Sequence, residues 1–419
     1  MNQLPARGSF QFLARLLTPF GLCLLLCAPA VAAVAGVWDP DPISGAVISG
    51  AAIIASAFML GWVGEAAELD LAGGLAVGLL AIVTILPEYV VSVYFAFAAG
   101  TDPSMTQYAS ANVTGANRLL LGFGWPVVAL IGFLALRGNK KRSARNPAAS
   151  KKFGIVVDAE SRTDLGFLLI SSLIALIIPF TGQLHLLVGI LLVLIFAAYL
   201  WRQSHAERDE PELEGTAAMV GGLSKWGRRS FIAVVFLLAA TIILLCAEPF
   251  AHDLIAAGGA LGVNQYLLVQ WLAPIASEAP EFSLAILFAA KGKPALGLAI
   301  LISSKVNQWT ALAGSLPIAY VLGGGSTALP MDARQVEEFT LTIGQTVMGI
   351  GLLLALRFGA RAAISLFVLF AVTFVFPDPE VRLWLAGLYF MITAVLFVKH
   401  RKLLGPTFRA PFQIPRNQV

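Results

Sequence analysis

Charge is scarce in this chain. Only 12% of its 419 residues are Asp, Glu, Lys or Arg, and 58% are apolar, whereas soluble domains carry about 25% charged residues. So few charges cannot cover the surface of a soluble globule, so the composition points to a polytopic membrane protein. Cysteine is nearly absent: Cys23, Cys27 and Cys246 all lie inside apolar runs, with no metal-knuckle or redox spacing, and three thiols cannot build a disulfide framework. The four histidines show no His-x-x-x-His or His-Glu pairing, which leaves no hydrolytic metal centre to propose. Enzyme chemistry and a bound cofactor are therefore not expected. The small basic excess, 28 Lys and Arg against 24 Asp and Glu, is explained by where the charges sit and gives no reason to expect a nucleic-acid partner.

Long apolar runs are what the chain has in abundance. A spanning helix needs about 20 mainly apolar residues, and about twelve candidates can be counted between residues 19 and 398. Cytoplasmic loops collect Lys and Arg. Residues 137–152 carry Arg137, Lys140, Lys141, Arg142, Arg145, Lys151 and Lys152 with no acid, and the tail beyond residue 398 is likewise basic. Further basic connections hold Lys225, Arg228 and Arg229, then Lys291 and Lys293, then Arg357 and Arg361. With twelve helices all five fall on one side. The opposite loops carry Asp39, Asp41, Asp102, Asp332, Glu337, Glu338, Asp378 and Glu380. Both termini are then expected in the cytoplasm, and the chain in a plasma or inner membrane with the lipid bilayer as its partner.

The organisation follows from these runs: an N-terminal helix in 1–43, a first repeat in 44–201, a linker in 202–228, a second repeat in 229–376, and an extra helix with a basic tail in 377–419. Residues 1–36 read as a retained helix, though Arg7, Arg15 and the run Ala32-Ala33-Val34-Ala35 also fit a secretory signal peptide. Trp201, Trp226 and Trp384 suit interfacial anchoring. Gln345 reads as a polar helix contact.

Two segments echo one another. Leu86-Pro87-Glu88-Tyr89 precedes Asn112-Val113-Thr114-Gly115-Ala116-Asn117-Arg118, and Glu278-Ala279-Pro280-Glu281 precedes Ser303-Ser304-Lys305-Val306-Asn307. Each half has a Pro-Glu deep in an apolar helix and a polar cluster in the next. The topology inverts one half relative to the other, which is how secondary transporters build substrate sites near the bilayer midplane. Proline leaves the carbonyl four residues earlier without its helical donor, freeing oxygens near Val83 and Thr84, and near Ala276 and Ser277. The adjacent carboxylate supplies charge, and hard cations take such mixed oxygen sets. An acid at membrane depth is costly and by default functional.

On these residues the chain resembles the calcium/cation antiporter superfamily, the sodium/calcium exchangers and their relatives, whose signature is Gly-Thr-Ser-x-Pro-Glu/Asp followed by an Asn-rich motif in each half. The resemblance implies an all-α polytopic membrane protein of about 12 transmembrane helices, with an inverted-repeat 5+5 exchanger core and one extra helix at each end. It places the central acidic ligands for the transported metal cation on Glu88 and Glu281, and their accompanying hydroxyls on Thr84 and Ser277. Ala116 and Leu120 stand where the first half should offer Ser and Asn, while the second half offers Ser303 and Asn307. Asn112 and Asn117 remain as other motif members.

The departures are charged. Setting Ala116 on Ser303 puts Arg118 on Lys305, so each half brings one carboxylate and one cation, and Glu278 adds a third acid. Arg118, Lys305 and Glu278 are therefore expected to tune the site, with Lys305 lying against Glu281 or Glu278 when no ion is bound; an alternative is that Arg118 and Lys305 snorkel towards an interface. A fixed ammonium would disfavour a divalent ion by several kcal/mol at about 4 Å and an effective dielectric near 20. The resemblance implies a secondary active antiporter exchanging Ca²⁺ or Na⁺ against Na⁺ or H⁺, its partners being those cations. The alternatives are a sodium:proton exchanger with a Lys-modified site, or a receptor or assembly membrane protein that keeps the fold without transport.

Overall fold

The computed structural model describes residues 6–70, 74–137, 154–205, 213–376 and 378–413, with backbone alone for 6–13, 74–85 and 137. It is helical, with four three-residue strands among the described residues. Among the described residues eight helices are long and apolar enough to cross a membrane, and Leu86–Ala98 and Ala360–Val375 are shorter apolar helical stretches. Each span expected from the sequence overlaps a described helix.

The chain forms two compact units, residues 1–91 with 203–280, and residues 92–202 with 281–419. They cut across the sequence halves, because each takes helices from both repeats. In the first unit α1 (Ala6–Val34) packs on α2 (Pro42–Ala67), and α2 packs along α10 (Lys225–Leu261) and against the short α9 (Gly215–Gly221). Asp41 starts α2 by accepting hydrogen bonds from the main-chain N–H groups of Ile43 and Ser44 at 3.1 and 3.2 Å, with Pro42 at the first helical position, where its missing N–H costs nothing. These bonds, and one from the Ser44 hydroxyl, hold the Asp41 carboxyl below its ordinary range. The buried face of α2 is built from small residues, among them Gly45, Ala46, Ser49, Gly50, Ala52 and Ala55, which lets another helix approach closely. Gly50 faces the Phe250 ring of α10. At the far end Asp70 takes the Arg228 guanidinium in a forked pair, 2.6 and 2.9 Å, which holds the Asp70 carboxyl low.

The second unit holds α4 (Thr106–Leu119) and α5 (Trp125–Arg137), α6 (Ser161–Ala175), α7 (Ile177–Thr181), α8 (Leu186–Ser204), α12 (Pro294–Asn307), α13 (Ala313–Leu322), α14 (Ala333–Leu353), α15 (Ala360–Val375), α16 (Pro379–Lys399) and α17 (Arg401–Arg409). Two helices, α3 (Gly74–Ala98) and α11 (Gln265–Ala290), pass from the first unit into the second just after their Pro-Glu pairs begin. Short antiparallel strand pairs tie the loops. β1 (Gly154–Val156) pairs with β4 (Arg357–Gly359), and β2 (Gln183–His185) with β3 (Ala328–Pro330). Gly323 lies so close to the Phe97 main chain that no side chain fits there; this accounts for the first glycine of the Gly323-Gly324-Gly325 turn.

One expectation is corrected. Glu337 and Glu338 are not loop acids: both lie inside α14 and are buried, at 6% and 2% exposure. Burial is tolerated because arginines from other helices reach both carboxylates.

Candidate functional site

Each polar cluster sits on a helix of the same design. α4 and α12 are both 14 residues long, and each runs directly into a five-residue π-helical segment, Leu120–Gly124 and Gln308–Leu312. A π segment shifts the register of the helix beyond it and is frequent at functional sites. Matching the two helices end to end pairs Asn117 with Lys305, each the twelfth residue of its helix, and Arg118 with Val306. This differs by one residue from the register suggested by the serines. At 1.5 Å per residue the twelfth position lies about 16 Å along its helix.

In the second unit, Lys305 and Asn117 meet. The Lys305 Nζ, fully buried, donates to the Asn117 main-chain oxygen at 2.8 Å and to its Oδ1 at 3.1 Å. The Asn117 amide is oriented by its own donation from Nδ2 to the Val113 carbonyl, 3.0 Å. The sequence expectation set Lys305 against Glu281 or Glu278; these two bonds go to Asn117, and it is the Ser304 hydroxyl that donates to Glu281 Oε2. Ser303, the expected ligand, instead shares a 2.8 Å hydrogen bond with the Tyr199 hydroxyl of α8. Asn112 donates to Ser92 Oγ at 2.5 Å; Ser92 lies four residues beyond Glu88, one turn along the same helix. Asn307 ends α12 and is buried, at 5% exposure.

In the first unit, Glu88 is buried at 5% exposure and Glu278 at 2%. The Ser277 hydroxyl donates back to the carbonyls of Ala273 and Pro274 at 3.2 and 3.3 Å. Thr84 lies on α3, and its side chain is outside the described residues.

Arg118 belongs to a different group from Lys305. It is 2% exposed, pairs with Glu338 Oε2, and donates to Thr373 Oγ1 of α15 at 2.7 Å. Arg382 of α16 donates to the other Glu338 oxygen at 2.7 Å and lies 3.3 Å from Glu337. Two arginines and two glutamates thus join α4, α14, α15 and α16 in a buried group of zero net charge. Sequence reasoning missed Glu338, Arg382 and Thr373, and Glu338 was legible only as one of several acids near a loop. It also missed Ser92, Tyr199 and Ser304, of which Ser92 carried a signal in its helical spacing from Glu88. Gln345 is buried at 1% exposure, and neither of its amide atoms has a hydrogen-bond partner among the described residues.

The chain is similar to known proteins over most of its length. The family model described as "Sodium/calcium exchanger protein" matches twice, over residues 42–204 and 231–400, once in each half. The crystal structure of the H⁺/Ca²⁺ exchanger CAX is similar over 98% of this chain and 98% of its own, at 33% identity and a TM-score of 0.86. The structure of native YfkE shares the fold at 16% identity, covering 88% of this chain and 99% of its own with a TM-score of 0.61. The selenium-substituted Ca²⁺/H⁺ antiporter protein YfkE does so at 18% identity, covering 84% and 98%, with a TM-score of 0.59. Among curated protein sequences none matches. With the family model covering both halves and a 33%-identical structure aligned from end to end, the chain belongs to the sodium/calcium exchanger protein family, integral membrane antiporters of cations rather than enzymes.

Proposed function

We propose that this protein exchanges Ca²⁺ for H⁺ across a plasma or inner membrane by alternating access, with Glu88 and Glu281 carrying the transported ions. The observation that supports it most is the 33% identity to an H⁺/Ca²⁺ exchanger over 98% of both chains. The residues are consistent with that chemistry. An ionised carboxylate withdrawn from water is costly unless neutralised, and either a proton or a metal cation can neutralise Glu88 or Glu281. A carboxylate that accepts both in turn is a coupling device. Ser304, Thr84 and Ser277 supply neutral oxygens on the same helices as, or on a helix adjoining, these acids. Asn112, Asn117 and Asn307 would line the polar clusters beside them.

Reconstitution tests the proposal. In proteoliposomes, Ca²⁺ uptake is expected when the interior is acidic and to collapse when the proton gradient is dissipated, with Na⁺ and K⁺ gradients failing to replace it. Uptake driven by Na⁺ alone would refute proton coupling. A second reading is sodium:proton exchange, since a fixed ammonium near the acids disfavours a divalent ion; H⁺-driven Na⁺ flux without Ca²⁺ flux would select it and would overturn the Na⁺-excluding role of Lys305 argued below. Absence of any flux would favour the non-transporting alternative.

We also propose twelve crossings with both termini cytoplasmic. The strand pairs support alternate sidedness: β1 and β4 join two connections that the charge pattern puts inside, and β2 and β3 join two that it puts outside. Arg162, next to the first inner connection, donates to Thr407 Oγ1 beyond the last helix at 3.0 Å, which supports the start of the tail lying on that same side. Ser326 is exposed in the β3-proximal turn. Ser326→Cys is expected to react with a membrane-impermeant maleimide added outside intact cells; reaction only after permeabilisation would invert the orientation.

A further inference from the structure

Lys305 and Asn117 are the same position in the two repeats, and they touch. Two oxygens of Asn117, one main-chain and one carboxamide, converge on the Lys305 nitrogen at 2.8 and 3.1 Å. The bond from Asn117 Nδ2 to the Val113 carbonyl fixes which face of the amide looks at the ammonium. Both side chains are fully buried, at 0% exposure. Converging neutral oxygens in a buried setting are what a dehydrated monovalent cation takes, since carbonyl and amide oxygens replace its water without adding formal charge. Here the positive charge at their focus is delivered by the chain itself.

We propose that the Lys305 ammonium is a tethered cation filling a monovalent-cation subsite on Asn117, and that this covalent occupant keeps Na⁺ out of the transport cycle. The coupling part of this statement rests on the Ca²⁺/H⁺ reading above; the subsite itself does not. The ammonium is tethered to α12 and cannot leave with the substrate. One residue away, Ser304 hydrogen-bonds Glu281, so the same helix turn presents a permanent cation to Asn117 and a hydroxyl to the acid. A small neutral residue at position 305 would empty the focus of the two Asn117 oxygens and leave room for Na⁺.

The test uses the full-length protein purified in detergent, where no transport is needed. Thermal unfolding is followed against NaCl at constant ionic strength, with choline chloride as the balancing salt, because a ligand that binds the folded state raises its apparent melting temperature. Lys305→Ser and Lys305→Asn are expected to show saturable stabilisation by Na⁺ with an apparent affinity at least tenfold tighter than the wild type. Lys305→Met fills the same volume without an oxygen or a charge and is expected to show no gain. In proteoliposomes Lys305→Ser is expected to acquire Ca²⁺ flux driven by a Na⁺ gradient. Folded Ser and Asn variants that respond to Na⁺ no more than the wild type overturn the proposal, as does an equal gain in Lys305→Met. The wild type gives an arm that needs no variant: Na⁺-driven exchange in it overturns the proposal, and indifference to Na⁺ supports it. Failure of Ca²⁺/H⁺ exchange in the wild type, with the Na⁺ stabilisation of the variants intact, would remove the transport reading and leave the subsite standing.

Discussion

Glu281→Gln and, separately, Glu88→Gln are expected to reduce exchange by about 100-fold or more while the protein still inserts and folds. The amide keeps the size of the side chain and can still accept the hydrogen bond that Ser304 gives to Glu281, so the local packing survives. What it loses is the ability to alternate between a protonated and a cation-bound form. Losing one charge-assisted interaction of about 3 kcal/mol corresponds to roughly two decades of affinity. Insertion should become easier, because an acid at the centre of a spanning helix costs about 2.5–3.5 kcal/mol on biological insertion scales. Proton-driven Ca²⁺ uptake per reconstituted molecule measures the first effect, and the melting temperature in detergent the second. Normal uptake by either variant would remove that carboxylate from the mechanism.

The largest effect on stability is expected at Glu338. It lies between Arg118 and Arg382 at 2% exposure, and Glu338→Gln would leave two buried guanidinium groups facing one remaining carboxylate, Glu337. Removing one member of a buried ion pair costs about 3–5 kcal/mol, because the partner's charge stays buried without compensation. The melting temperature of the Gln variant should therefore fall well below that of the wild type. Arg118→Met combined with Glu338→Met removes one charge of each sign and leaves Arg382 with Glu337, 3.3 Å apart. This double variant should recover much of the lost stability, since a balanced buried pair replaced by apolar side chains of similar volume is often neutral. A Glu338→Gln protein within about 1 kcal/mol of the wild type would show that the group contributes little, that being the ordinary size of an exposed ion pair. Because Arg118 follows Asn117 directly on α4, loosening this group is also expected to lower exchange more than it lowers the amount of folded protein.

The membrane class, the helical spans and the two Pro-Glu helices were legible in the sequence. Each rests on local properties: a run of apolar side chains is long enough to cross a bilayer or it is not, and a proline removes its helical donor wherever it stands. The expected sidedness of the loops has the same local origin, since the bias in Lys and Arg acts on short connections one at a time. The burial of Glu88 and the half-buried position of Glu281 follow from their place within those helices.

Side-chain partners were not legible, and the tertiary structure decided them. Successive residues on an α-helix point about 100° apart, so Ser303 turns to Tyr199 while Ser304 turns to Glu281, and motif spacing alone could not choose between them. Arg118 and Lys305 are set one residue apart by the same geometry when the repeats are matched by helix ends and π segments. One goes to a glutamate 220 positions away and the other to an asparagine 188 positions away. Glu338 read as an outer-loop acid because charge pattern assigns a residue by its neighbours in the chain. Its burial depends on two arginines from distant helices arriving together, and only the packing of α4, α14 and α16 brings them there.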